Sequence, residues 1–133
     1  MALLVADSDV LVDALSGRNP GADRVAIGLE TGALATTAIS AFELLSGAVP
    51  DRAREQIDRL LAALTILPLD EAAGRAAAGA RREMESLGTP IGMGDYLIAG
   101  ICLARSATLL TCNVGHFSRI PELRLDPLFT ADD

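Results

Sequence analysis

The stretch LLVADSDVLVDALSG, residues 3 to 17, changes its hydrophobic period halfway along. Up to Ala6 the apolar residues run without interruption, as in a strand buried on both faces. From Ser8 onward Val10, Leu11, Ala14 and Leu15 recur at helical spacing, and Gly17 supplies a stop. A buried strand that passes through Asp7 into an amphipathic helix is the opening of an α/β unit.

The chain repeats this alternation. A second helix is expected near residues 21 to 31, with Val25, Ala26 and Leu29 inward, and ALATTAI follows as a second strand. In SAFELLSGA, Ser40 is a candidate cap with Glu43 three places on, the spacing of a capping box. From Arg52 to Leu64 the residues Ala53, Ile57, Leu60, Leu61 and Leu64 mark an amphipathic helix. TILPL reads as a third strand that Pro68 places at an edge or a strand end. Residues 70 to 87 form an Ala-rich helix whose inner stripe is Ala73, Ala76, Ala77, Ala80, Met84 and Leu87. A loop GTPIG, an apolar helix from Asp95, a strand ATLLT, a loop CNVGHF and a last strand near LRLD complete the order. The expected fold is α/β in three layers, α/β/α, with a mostly parallel central sheet of four to five strands, and residues 1–133 are read as a single domain.

Composition narrows the functions. The formal charge is -7, and all eleven basic residues are Arg, with no Lys. Such a chain is a poor non-specific binder of polyanions, although Arg can grip phosphate bidentately and bound cations would offset clustered carboxylates. Three Phe, one Tyr and no Trp are too few aromatics for a base-stacking platform. Cys102 and Cys112 both sit in apolar runs and read as small buried hydrophobes, and a single His116 without a nearby thiol makes no zinc motif. The absence of a basic leader or a span-length apolar stretch points to the cytoplasm, with no membrane partner.

In a parallel sheet ligand sites lie beyond the carboxyl ends of the strands, and that edge gathers the chain's polar outliers. Asp7 closes the first strand, Glu43 lies about two turns past the second, Asp95 opens a helix, and Thr111 and Asn113 follow the fourth strand. Each has a local alternative: Asp7 can cap the first helix, as can Ser8 or Asp9; Glu43 can complete the box with Ser40; Asp95 can be an N-cap; Asn113 can be a turn residue. Three convergent carboxylates nevertheless repel unless a cation or proton intervenes, and hard oxygen donors suit Mg²⁺ or Mn²⁺.

Taken together, LLVADSDVLVDALSG, TTAISAFELLSGA, IGMGDYLIAG and TLLTCNVGHFSRIPELRL resemble the PIN-domain ribonucleases, and most of all the VapC-type toxins of toxin–antitoxin pairs. The resemblance runs through nearly the whole chain. It implies a Mg²⁺- or Mn²⁺-dependent endoribonuclease, with Asp7, Glu43 and Asp95 at the family's acidic positions as catalytic residues and metal ligands. It also implies a VapB-like antitoxin whose tail covers the acidic pocket, an RNA substrate and a homodimer. The apolar content of AISAFELLSGAVP and the helix after it fits an interface, and equally fits a place in the core. This chain departs from the family at Asn113, where many relatives carry Asp; an amide brings no charge, and Asp9 is the candidate to compensate. Ser8 and Thr111 could orient the phosphate or a water, or simply stabilise turns. Arg18, Arg81 and Arg82 are the candidates for an RNA track, with solvated helix faces as the plainer reading.

Two rivals remain to be weighed. DSDVL also resembles the opening of haloacid-dehalogenase phosphatases, but those enzymes, like receiver domains, use a Lys that this chain lacks. A PIN-like protein that has lost turnover through Asn113 and acts as an RNA- or protein-binding module is the alternative function.

Overall fold

The computed structural model describes residues 3–47 and 51–126. Among them lie β1 (Leu4–Ala6), β2 (Leu34–Thr37), β3 (Thr65–Leu67), β4 (Thr108–Leu110) and β5 (Arg124–Leu125). They form one sheet in the order β3-β2-β1-β4-β5, and every pairing is parallel. Helices fill the crossovers: α1 (Ser8–Ser16) and α2 (Gly21–Thr31), α3 (Ala38–Ser46) and α4 (Asp51–Ala62), α5 (Glu71–Ser86) and α6 (Met93–Ala104), then a single turn, α7 (Val114–Phe117).

The period of two along each strand divides the core into two layers. Val5, Ala35 and Leu109 face α5, α6 and α7, packing with Ala73, Met84, Ile98, Ile101 and Phe117. Their neighbours Ala6, Leu34 and Leu110 face the other way, onto Val10, Leu11, Val25, Leu44 and Ile57 of α1 to α4. That double burial is why the strands read as continuous apolar runs. The layer of α5 and α6 depends on small residues. A Cβ at Gly100 would overlap the carbonyl oxygen of Ala73 and stand 2.6 Å from Ala77 Cβ, so the two helices meet there backbone to backbone.

Four local expectations are corrected. The cap of α3 is Thr37, not Ser40: its hydroxyl accepts from the Ser40 backbone N–H at 3.0 Å, so β2 turns into the helix without a linker. Glu43 therefore completes no capping box. Helix α6 starts at Met93 after Gly92, which puts Asp95 inside its first turn rather than at the cap. CNVGHF, expected as a loop, holds α7, whose Phe117 is fully buried. Cys112 is exposed, because β4 ends at Leu110 and leaves it on the rim, whereas Cys102 is buried as expected. Two residues also leave their assigned stripes: Ala26 faces solvent, and Leu87 lies past the last turn of α5 and is 60% exposed. Ala48, Val49 and Pro50, the end of the expected interface stretch, lie outside the described residues.

Candidate active site at the carboxyl edge of the sheet

Because the strands are parallel, their carboxyl ends share one rim. Register pairs Ala6 with Leu110, and the Asp7 N–H donates to the Leu110 carbonyl at 2.9 Å. Asp7 is thus held between the two central strands, and it is only 6% exposed. It does cap α1, with Oδ1 accepting from the Ser8 N–H at 2.8 Å. The cap leaves room for more. The Thr111 hydroxyl donates to Oδ2 at 2.9 Å, and the buried Ser40 hydroxyl approaches Oδ1 at 3.4 Å. Burial raises the Asp7 pKa, these hydrogen bonds oppose the rise, and the negative charge of Asp95 adds to it.

Asp9, one turn edge away on α1, shares the same anchor. Its Oδ2 accepts from the Cys112 N–H at 3.1 Å and stands 3.3 Å from the Thr111 hydroxyl, which has one proton for two carboxylates. The other oxygen, Oδ1, is buried without a hydrogen-bond partner. Burial, then the charge of Asp7, pushes the Asp9 pKa up to about 6. Thr111 also accepts from the Asn113 N–H at 3.0 Å, so one buried threonine ties β4 to both acids of the first turn.

Glu43 enters from α3. Its Oε1 accepts from the Ser8 hydroxyl at 3.2 Å, and its pKa is raised by burial and by the charges of Asp7 and Asp95. Its Oε2 lies 3.8 Å from where a Cβ on Gly94 would stand, an ordinary contact distance that places the start of α6 beside this carboxylate. Asp95 comes from the first turn of α6, where the helix dipole favours an anion. Its Oδ2 meets His116 Nδ1 at 2.8 Å, and the Asn113 side chain lies 2.9 Å from the same ring nitrogen.

The structure therefore brings Asp7, Asp9, Glu43, Asp95, Ser8, Thr111 and Asn113 to one rim. Sequence reading missed the roles of Ser40 at Asp7 and of His116 at Asp95. A buried serine beside a capping threonine looks like any helix start, and the His116–Asp95 contact spans 21 positions. The proposed RNA-track arginines are not drawn in. Arg18 stands 3.9 Å from Asp13, and Arg81 pairs with Glu85 one turn along α5 at 2.7 Å. Among the described residues, Arg82 makes no hydrogen bond or ion pair to the rim acids either.

Charge is the chemistry that the rim concentrates. Asp7 feels the charge of Asp95, Glu43 feels those of Asp7 and Asp95, and Asp9 carries a buried carboxylate oxygen without a partner. A divalent cation would offset the repulsion among these carboxylates, and their oxygens are donors of the kind that hard cations take. Among the described residues no three His, Cys, Asp or Glu side chains are gathered on one point, so water would complete the shell, as hard cations allow. Among those residues, too, no helix is long and apolar enough to cross a membrane.

A model of the PIN domain family matches residues 4–123. Ribonuclease VapC10 of Mycobacterium tuberculosis is 33% identical over 122 residues, which cover 92% of this chain and 91% of that protein. The tRNA(fMet)-specific endonuclease VapC of Salmonella typhimurium is 30% identical over 102 residues, covering 74% of this chain and 77% of the relative. In fold, the chain is similar to VapBC2 from Rickettsia felis, solved bound to a promoter DNA fragment. The TM-score is 0.81 at 23% identity, over 93% of this chain and 97% of that one. DNA-bound VapBC from Salmonella typhimurium gives 0.81 at 24% identity, over 95% and 98%.

Proposed function

From the premise that the chain belongs to the PIN domain family, among relatives of the VapC ribonuclease type, we propose that it is a metal-dependent endoribonuclease and the toxin of a toxin–antitoxin pair. The observation that carries this reading is the convergence of Asp7, Glu43 and Asp95 on the carboxyl rim, with the pKa of Asp7 and Glu43 raised first by burial and then by neighbouring acids. Asp7 and Asp95 would hold a Mg²⁺ or Mn²⁺ ion, with Glu43 direct or through water. Such an ion supplies a Lewis acid for the scissile phosphate and lowers the pKa of a water.

The chain's own residues do the rest by positioning. Ser8 N–H and Thr111 fix the two oxygens of Asp7, so its orientation is set before any ligand arrives. Ser8 holds Glu43 through a hydrogen bond to its Oε1. No side-chain nucleophile is needed. Hydrolysis by water leaves a 5′-phosphate and a 3′-hydroxyl.

The antitoxin belongs to the same reading. Between α1, α3 and α4 runs a groove of about 330 Å³ lined by Val12, Leu15, Leu44, Ala53 and Ile57, and Glu43 stands at its rim. Val12 is 44% exposed, and Phe42 on the outer face of α3 is 66% exposed. A peptide with apolar side chains and a terminal Arg would fill the groove and reach the carboxylates. A second copy of the chain would cover Met93, 69% exposed, which lines a shallow cavity with Ala77, Ala78, Tyr96 and Leu97.

The test is cleavage of a pool of structured RNAs, initiator transfer RNA included, with Mn²⁺ and wild type beside Asp7→Asn. Cleavage by the wild type alone, stopped by chelator, is the expected result. Equal cleavage by both proteins contradicts the assignment of Asp7, and silence from both favours a binding module.

A further inference from the structure

We propose that Ser40 is a positioning residue: with Ser8 it forms a reciprocal clamp that fixes Asp7 and Glu43 against each other. The inference rests on the reading above of these two as working acids. It starts from hydroxyls placed where the core has no need of them. Thr36, Thr37 and Ser40, at the end of β2 and the start of α3, are all fully buried. A buried hydroxyl costs stability unless it is bonded, so the partner of each one matters. Thr36 donates to the carbonyl of Ala6, the residue before Asp7, at 2.7 Å. Thr37 caps α3 by accepting from the Ser40 N–H at 3.0 Å. Its own hydrogen goes to Ser40 Oγ, 3.2 Å away, and Ser40 in turn donates to Asp7 Oδ1 at 3.4 Å. The cap uses only the backbone of Ser40. Its side chain is accounted for by Asp7.

Every hydrogen in this relay runs toward the carboxylate, and bonds so aligned polarise one another. The last link is long, and its weight comes from burial: among the described residues Asp7 is the acceptor that the Ser40 hydroxyl has. A second bond runs the other way. The Ser8 hydroxyl donates to Glu43 Oε1 at 3.2 Å. Ser8 follows Asp7 in the chain, and Glu43 lies one turn after Ser40 on α3. Each element therefore lends a hydroxyl to the other's acid. The Ser8 N–H and Thr111 bonds refer Asp7 to α1 and β4, and neither refers it to α3, which carries Glu43. Ser40 is the bond that does.

The test is a double-mutant cycle of Ser40→Ala and Ser8→Ala in the full-length protein. Two quantities are read: Mn²⁺ binding, from the free-ion paramagnetic resonance signal, and kcat and KM on an RNA cut in the pool above. Ser40→Ala keeps the cap, since its N–H still reaches Thr37. It should weaken Mn²⁺ binding and lower kcat, each by roughly ten- to hundredfold, with KM for the RNA unchanged. In the double variant the loss should fall short of the product of the single losses, because either break frees the pair. Thr36→Val removes an equally buried hydroxyl that touches no acid, and should leave both quantities as in the wild type. A Ser40→Ala chain that binds Mn²⁺ and cleaves like the wild type overturns this inference and leaves the proposed function standing. Single losses that simply multiply, or an equal loss in Thr36→Val, overturn it in the same way. A wild-type chain that neither takes up Mn²⁺ nor cleaves overturns both.

Discussion

The two halves of the rim are built differently. On the β1–α1 side, Asp7 is buried and receives hydrogen bonds from Ser8, Thr111 and Ser40, and Asp9 is tied to Thr111 and the Cys112 N–H. On the α6–α7 side, the Asp95 side chain is 21% exposed and that of His116 52% exposed, joined by one contact. The first half is fixed by the sheet itself, through β1 and β4; the second hangs from a helix start and a single helical turn. In the proposed function this division puts the more buried acids on the wall that the sheet fixes and the more exposed pair on the wall that faces the substrate.

The comparison breaks first at Asp7. Replacing it by Asn keeps the shape and the Ser8 bond but removes a buried charge. Cleavage should fall more than about a hundredfold, the scale of losses at metal sites, while the melting temperature of the metal-free protein does not fall. A melting temperature that drops sharply would show that Asp7 serves stability instead. Thr111→Val comes next. It strips a hydrogen bond from a buried carboxylate, and urea unfolding at pH 8 should show a loss of about 1.5–3 kcal/mol.

A smaller effect sharpens the contrast through pH. The Asp9 pKa is about 6 in the fold against 3.8 for the free side chain, so the fold favours its protonated form. That contribution to stability is full below about pH 4 and is lost as pH rises to about 6; Asp7 and Glu43, also raised, act in the same direction. Thermal unfolding of the metal-free protein should therefore show stability falling across this window, with a shallower fall in Asp9→Asn. Ser8→Ala is the mildest change. It removes one exposed bond to Glu43 and should cost no more than about 1 kcal/mol in stability.

What the sequence makes legible follows the same division. The buried half is written locally: an apolar run ending in Asp, followed by helical spacing, fixes where Asp7 must stand, and doubly buried strands disclose a parallel sheet. The start of α3 is less readable, because TTAIS offers several hydroxyls and only the length of β2 decides that Thr37 caps. Helix α6 begins at Met93 behind Gly92, which has no side chain to announce a cap. The union of Asp95 with His116, and of Asp9 with the Cys112 backbone, depends on crossovers that bring distant segments to one rim. Pairwise contacts of that kind have no period to betray them.

The central claim is that these carboxylates form a cation site. Thermal unfolding with and without Mn²⁺, wild type beside Asp95→Asn, tests it most directly. A rise in melting temperature with Mn²⁺ in the wild type that is lost in the variant is the result this account predicts. An equal rise in both proteins, or none in either, would contradict it.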